Sequence, residues 1–119
     1  MATLIKERRI VAIPPSPEDG EVLRVEPADD LERVAGRLAG VARVEVLFPK
    51  FGDGRGFSIA RLLRGRYGYK GELRAVGHVV RDHLAPMEAV GFDAFLLKDG
   101  EDAQAALAAF SDFPLFRPR

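Results

Sequence analysis

The residues best suited to chemistry crowd into one stretch. Pro49 to Gly56 reads PKFGDGRG, follows an apolar run, and precedes a helical pattern that opens at about Phe57 or Ser58. Gly52, Gly54 and Gly56 tolerate positive φ and leave backbone N–H groups bare just ahead of a helix N-terminus, where the helix dipole favours an anion. Lys50 and Arg55 add positive charge there. An oxyanion or phosphate site is one reading; a sharply turning loop with Asp53 as helix cap is the other. The spacing excludes two phosphate signatures. Phe57 stands where G-x-G-x-x-G needs its last glycine, and no G-x-x-x-x-G-K-[ST] occurs.

Gly56-Phe57-Ser58-Ile59-Ala60 has the outline of a nucleophile elbow. An elbow needs its serine on an abrupt strand-to-helix turn, yet Ser58 lies ten residues beyond Phe48, and His83 directly follows Asp82. Hydrolase chemistry is not expected, and no catalytic residue is assigned. His78 ends a strand-like run, where it is either a proton donor beside Arg74 and Asp53 or a locally bonded loop histidine. On a regular helix His83 would sit about 140° further round, so the two histidines are not expected to share a metal. Arg61 and Arg64, neighbours at i and i+3, join Arg66, Lys70 and Arg74 as a candidate basic face for an acidic protein, a phosphate-bearing ligand or nucleic acid. The alternative is a solvated helix surface. Arg74 differs because it sits inside the run ELRAV, where burial would require a carboxylate or bound anion.

The rest of the chain must position these groups. One hundred and nineteen residues suit one domain, and 47% hydrophobic with 30% charged residues is ordinary globular usage. Eighteen basic and eighteen acidic side chains cancel, so neither nucleic acid nor membrane is expected as a partner. The charges are unevenly placed: residues 50–81 hold eight Lys/Arg and two Asp/Glu, between acidic flanks. Absence of cysteine excludes disulfides, Fe–S clusters and Cys-ligated metals from this chain alone, and leaves the cofactor open. MATLIKERR lacks the apolar run of a signal peptide, so a cytoplasmic protein is expected.

From Val22 onward, four β-rich runs each precede a helical stretch: VLRVE, ARVEVLF, ELRAV and FDAFLL. Four consecutive βα units predict an α/β fold with a mostly parallel sheet, either flavodoxin-like or half-barrel-like. Ligands in such folds gather at the strand C-termini. Helical spacing assigns Leu31, Val34, Ala35 and Leu38 to the first helix, with Asp29 as cap. It turns Ile59, Leu62, Leu63 and Tyr67 inward on the second, and makes Asp99 the cap of the last. Pro86 should kink the third helix or delay its start. Residues 1–21 are expected as an N-terminal arm with one possible edge strand, Arg9 to Ile13. Residues 22–119 form the domain, with an extended Phe/Pro tail from about 111. Phe113 and Phe116 in that tail suit either the protein's own surface or a partner.

The block FPKFGDGRGFSIARLLRGRYGYKGELRAVGHVVRD, followed by GFDAFLL, resembles the bacterial family known as domain of unknown function 934. Its members share F-P-x-F-x-D-G-R-G-x-S-x-A-R-x-L-R, G-E-L-R-A-x-G and G-F-D-x-F. The positions carried over are Asp53, Gly54, Arg55, Gly56, Ser58, Arg61, Arg64, Glu72, Arg74 and Gly77; Asp82-His83 and Pro86 depart from the family pattern. The resemblance implies an association with bacterial sulfite reduction, where members carry an oxidoreductase label. The expected function is an accessory protein of assimilatory sulfite reduction. It would bind the reductase, or another sulfate-assimilation enzyme, or an anionic ligand, through the DGRG loop and the basic helix. The alternative is a small oxidoreductase or flavin-type binder acting on a sulfur oxyanion or adenylylated sulfate. Exposed sheet edges make a homodimer the expected assembly.

Overall fold

A computed structural model describes residues 3–12, 21–49 and 54–112. Its six strands are β1 (Thr3–Lys6), β2 (Arg9–Val11), β3 (Glu21–Val25), β4 (Val41–Phe48), β5 (Glu72–Gly77) and β6 (Ala94–Leu97). They form one sheet in the order β2-β1-β6-β5-β4-β3. Strands β3 to β6 run parallel, whereas β1 is antiparallel to β6 and β2 to β1. Helices α1 (Leu31–Ala35), α2 (Arg55–Gly65), α3 (Leu84–Ala89) and α4 (Ala103–Ala108) follow β3, β4, β5 and β6 in turn. The fold is α/β with a mostly parallel sheet. Its parallel strands stand in chain order without a reversal, unlike the flavodoxin-like order with its switch point.

Period-two patterning explains which face is buried. Val25, Val46, Ala75, Phe95 and Ile5 are successive register partners across five strands, and all five belong to the core. The same core takes Val34 from α1, Ile59, Ala60 and Leu63 from α2, Leu84 and Met87 from α3, and Ala106 from α4. One residue along, the register partners Arg24, Glu45, Arg74, Ala94, Lys6 and Arg9 form a mostly charged row on the opposite face. Glu45 accepts from Arg24 and Arg43, and Glu72 from Arg74 and Lys6.

Local signals account for several departures from the expected elements. Thr3–Lys6, read as part of an arm, is β1, held between β6 and β2, while the run from Arg9 forms the edge strand β2. A four-residue strand is too short to show alternation, so β6 reveals it. Glu7 and Arg8 turn the hairpin with φ of 52° and 63°. Arg8 is anchored by two hydrogen bonds to Glu88 and lies over the Phe110 ring. Asp30, not Asp29, caps α1, and Asp102, not Asp99, caps α4 through the N–H groups of Gln104 and Ala105. Asp29 instead accepts from the Glu26 N–H. A 3-10 turn over Arg81–His83 precedes α3, so Pro86 falls in the first turn of α3, where no helical partner needs its missing N–H.

Candidate functional site

The candidate site lies at the C-terminal ends of β4 and β5. His78 N–H donates to the Phe48 carbonyl at 2.7 Å, which ties the residue after β5 to the last residue of β4. Gly77 makes this approach possible. Its φ is 92°, and a Cβ there would collide with the Phe48 carbonyl oxygen. Phe48 also stacks edge-on against Phe57 of α2 at 5.3 Å and packs against Phe92 at 5.5 Å. Gly56 lets α2 sit this close, since a Cβ on it would come within 2.5 Å of the Phe48 ring. One glycine of the DGRG run is thus needed for helix-to-strand packing.

Gly54 is the N-cap of α2 and, being glycine, supplies no side-chain cap; its carbonyl accepts from Phe57 N–H at 3.2 Å. Arg55 is exposed and reaches the Pro27 carbonyl, beyond the end of β3, at a long 3.5 Å. Ser58 is exposed within the first turn of α2. His83 approaches from the 3-10 turn, its ring 6.4 Å from that of His78 and steeply inclined to it. A regular helix would have parted the two histidines, but Val79 donates its N–H to the Gly77 carbonyl, Val80 is extended, and only the last three residues coil. Beside this edge, a polar cleft of about 330 Å³ is lined by Val80, Arg81, Asp82, Glu101, Asp102 and Ala105. Glu101 accepts from the Arg81 N–H, joining the loop after β5 to the one before α4. Gly54, Arg55, Gly56, Ser58 and His78 therefore share one edge of the sheet.

Arg74 is not part of this group. It points from the middle of β5 to the charged face, is 6% exposed, donates from Nε to Glu72 at 2.7 Å, and pairs through Nη2 with the same carboxylate oxygen at 2.7 Å. Burial pushes the Glu72 carboxyl upward, but Lys6 and Arg74 outweigh that and hold it below its ordinary range. The anion that ELRAV requires is the protein's own carboxylate. Arg64 is likewise drawn inward. Its guanidinium donates to the carbonyls of Gly91, Tyr69 and Gly71 and approaches Asp93 at 3.5 Å. Arg61 is exposed on α2. Lys50, Asp53, Phe113 and Phe116 lie outside the described residues.

Asp93 was not singled out by type or spacing, yet it splices β5 to β6. Its carboxyl accepts from the Leu73 N–H at 2.8 Å while its own N–H donates to the Leu73 carbonyl, and burial raises its pKa. The G-F-D element was the available signal: Gly91, at φ 119°, admits the Arg64 stem, and Phe92 enters the core.

Among the described residues, no three His, Cys, Asp or Glu side chains form a group able to hold a metal ion, and no helix is long and apolar enough to cross a membrane. No curated protein and no solved structure matches the chain. The family described as bacterial protein of unknown function (DUF934) matches residues 22–116, a span that includes β4, β5, β6, all of β3 but its first residue, α2 and both histidines. With the match extending over most of its length and the DGRG edge inside it, the chain belongs to the DUF934 family.

Proposed function

We propose that this protein is an accessory protein of assimilatory sulfite reduction that holds an oxyanion at the C-terminal edge of its sheet and presents α2 to the reductase. The observation that carries the reading is the entry to α2, an eleven-residue helix whose glycine N-cap supplies no side-chain hydrogen bond and whose first turn carries exposed Arg55 and Ser58, after the strand β4 whose last residue is bonded to His78. N–H groups at a helix N-terminus suit a tetrahedral oxyanion, and an arginine fork adds charge-assisted donors. The link to sulfite reduction comes from the family resemblance. The chain-ordered parallel strands support a half-barrel-like reading, and the sheet's two edges support a homodimer. Titrating sulfate into isotopically labelled protein tests the site: backbone amide signals of Gly54 to Ser58 should move saturably, and R55A should weaken the response. Absence of any shift at those amides would remove the oxyanion site. Co-purification with sulfite reductase from sulfate-grown cells tests the partner separately.

A further inference from the structure

The geometry points to the outward row of α2, centred on Leu62 and flanked by Arg61 and Arg66, as a docking surface for an acidic protein segment that carries an apolar side chain among its carboxylates. This inference rests on the partner-binding half of the proposed function and names the chemistry of the partner. At 100° per residue, Gly56, Ile59, Ala60 and Leu63 form the buried stripe of α2, which leaves Ser58, Leu62 and Gly65 pointing outward between Arg61 and the C-cap Arg66. Leu62 is 38% exposed, one of two large apolar side chains so exposed among the described residues. A single exposed leucine is unremarkable by itself. Its surroundings distinguish it. On the charged face of the sheet and at the β1–β2 hairpin the cations are matched: Lys6 and Arg74 with Glu72, Arg24 and Arg43 with Glu45, Arg8 with Glu88. Helix α2 contains no acidic residue at all. Among the described residues the Arg61 side chain makes no hydrogen bond or ion pair, and the Arg66 side chain makes no ion pair and only overlies the Tyr67 ring at 5.6 Å. Gly65 keeps the row low, since nothing lies within 4 Å of where its Cβ would be.

Charge complementarity therefore asks for carboxylates on either side of an apolar contact. A nucleic-acid backbone fits less well. It would be met by few cations with a leucine between them, on a protein of zero formal net charge. The test uses the full chain and a short fluorescein-labelled peptide of glutamates and aspartates around one central leucine. An all-acidic peptide and a single-stranded DNA of equal charge serve as comparators, with anisotropy read at near-physiological salt. The leucine peptide should bind best, R61E/R66E should weaken it at least about tenfold, and L62A should erase its advantage over the all-acidic peptide. Circular dichroism confirms that the variants fold. No binding of the leucine peptide, binding unchanged in R61E/R66E, or equal or tighter binding of the DNA overturns the proposal. The sulfate response at Gly54 to Ser58 is read separately, so loss of the oxyanion site and loss of the docking row remain distinguishable.

Discussion

Arg64 shows how one side chain can hold several elements together. Its donors occupy three backbone carbonyls, from the turn after α2 and the loop before β6, so R64A would leave buried acceptors without partners. Urea unfolding should register a loss of about 3 kcal/mol, at the upper end for unsatisfied buried groups. A variant within 0.5 kcal/mol of the parent, on the order of a surface substitution, would contradict that role. Glu72 makes a second, pH-dependent case. Its carboxyl is held below the ordinary value of 4.5, so its contribution is complete above that value and is lost as pH falls through the lower, folded pKa. Asp93 has the opposite sign. Raised above 3.8, its protonation stabilises the folded state, a gain fully present below 3.8 and lost as pH rises through the folded value. E72Q strands buried Arg74 and should cost about 3 kcal/mol at neutral pH while flattening the acid limb of stability against pH. An unchanged acid limb in E72Q would show that the pair does not govern it.

At the scale of the element, α2 separates what a helix buries from what it shows. Leu62 and Leu63 are adjacent and chemically identical, but Leu63 is fully buried and Leu62 is among the exposed residues. L63A should cost about 2 to 5 kcal/mol through lost burial and a residual cavity, and L62S less than about 0.5 kcal/mol. Thermal melts of the two variants check this; similar losses would place Leu62 in the core after all. The reading that turned Leu62 inward weighted residue type over phase. Gly56 and Ala60 complete the true stripe, and at Gly56 the Phe48 ring at the end of β4 approaches too closely for any side chain.

Across the whole molecule, the sheet carries its helices on an apolar face, sets its charged row beside the apolar pairs Leu4–Leu96 and Leu47–Val76 on the other, and ends in β2 and β3. Edge strands invite pairing, and β3 offers five residues for it at one edge. Light scattering at tens of micromolar should therefore give twice the 13.1 kDa chain mass. A mass of one chain would discard the homodimer and leave the open sheet to stand alone.

Patterning alone disclosed the α/β class and the mostly parallel sheet, because period two and period 3.6 are properties of neighbouring residues. It also drew attention to the residues that follow β4 and β5, since parallel α/β connections bring such loops to one end of the sheet. What sequence distance hides was decided by tertiary structure. β1 became a strand because β6 offered it a partner; Arg74 became half of an internal pair because the pleat sets Glu72, two residues back on β5, on its face, and Lys6 from β1 reaches the same carboxylate. Arg64 was recruited inward because Gly91 left room for its stem. The histidines approached because a 3-10 turn replaced the regular helix. Each depends on contacts between residues far apart in the chain or on a local coil that period counting does not resolve, and propensity carries neither.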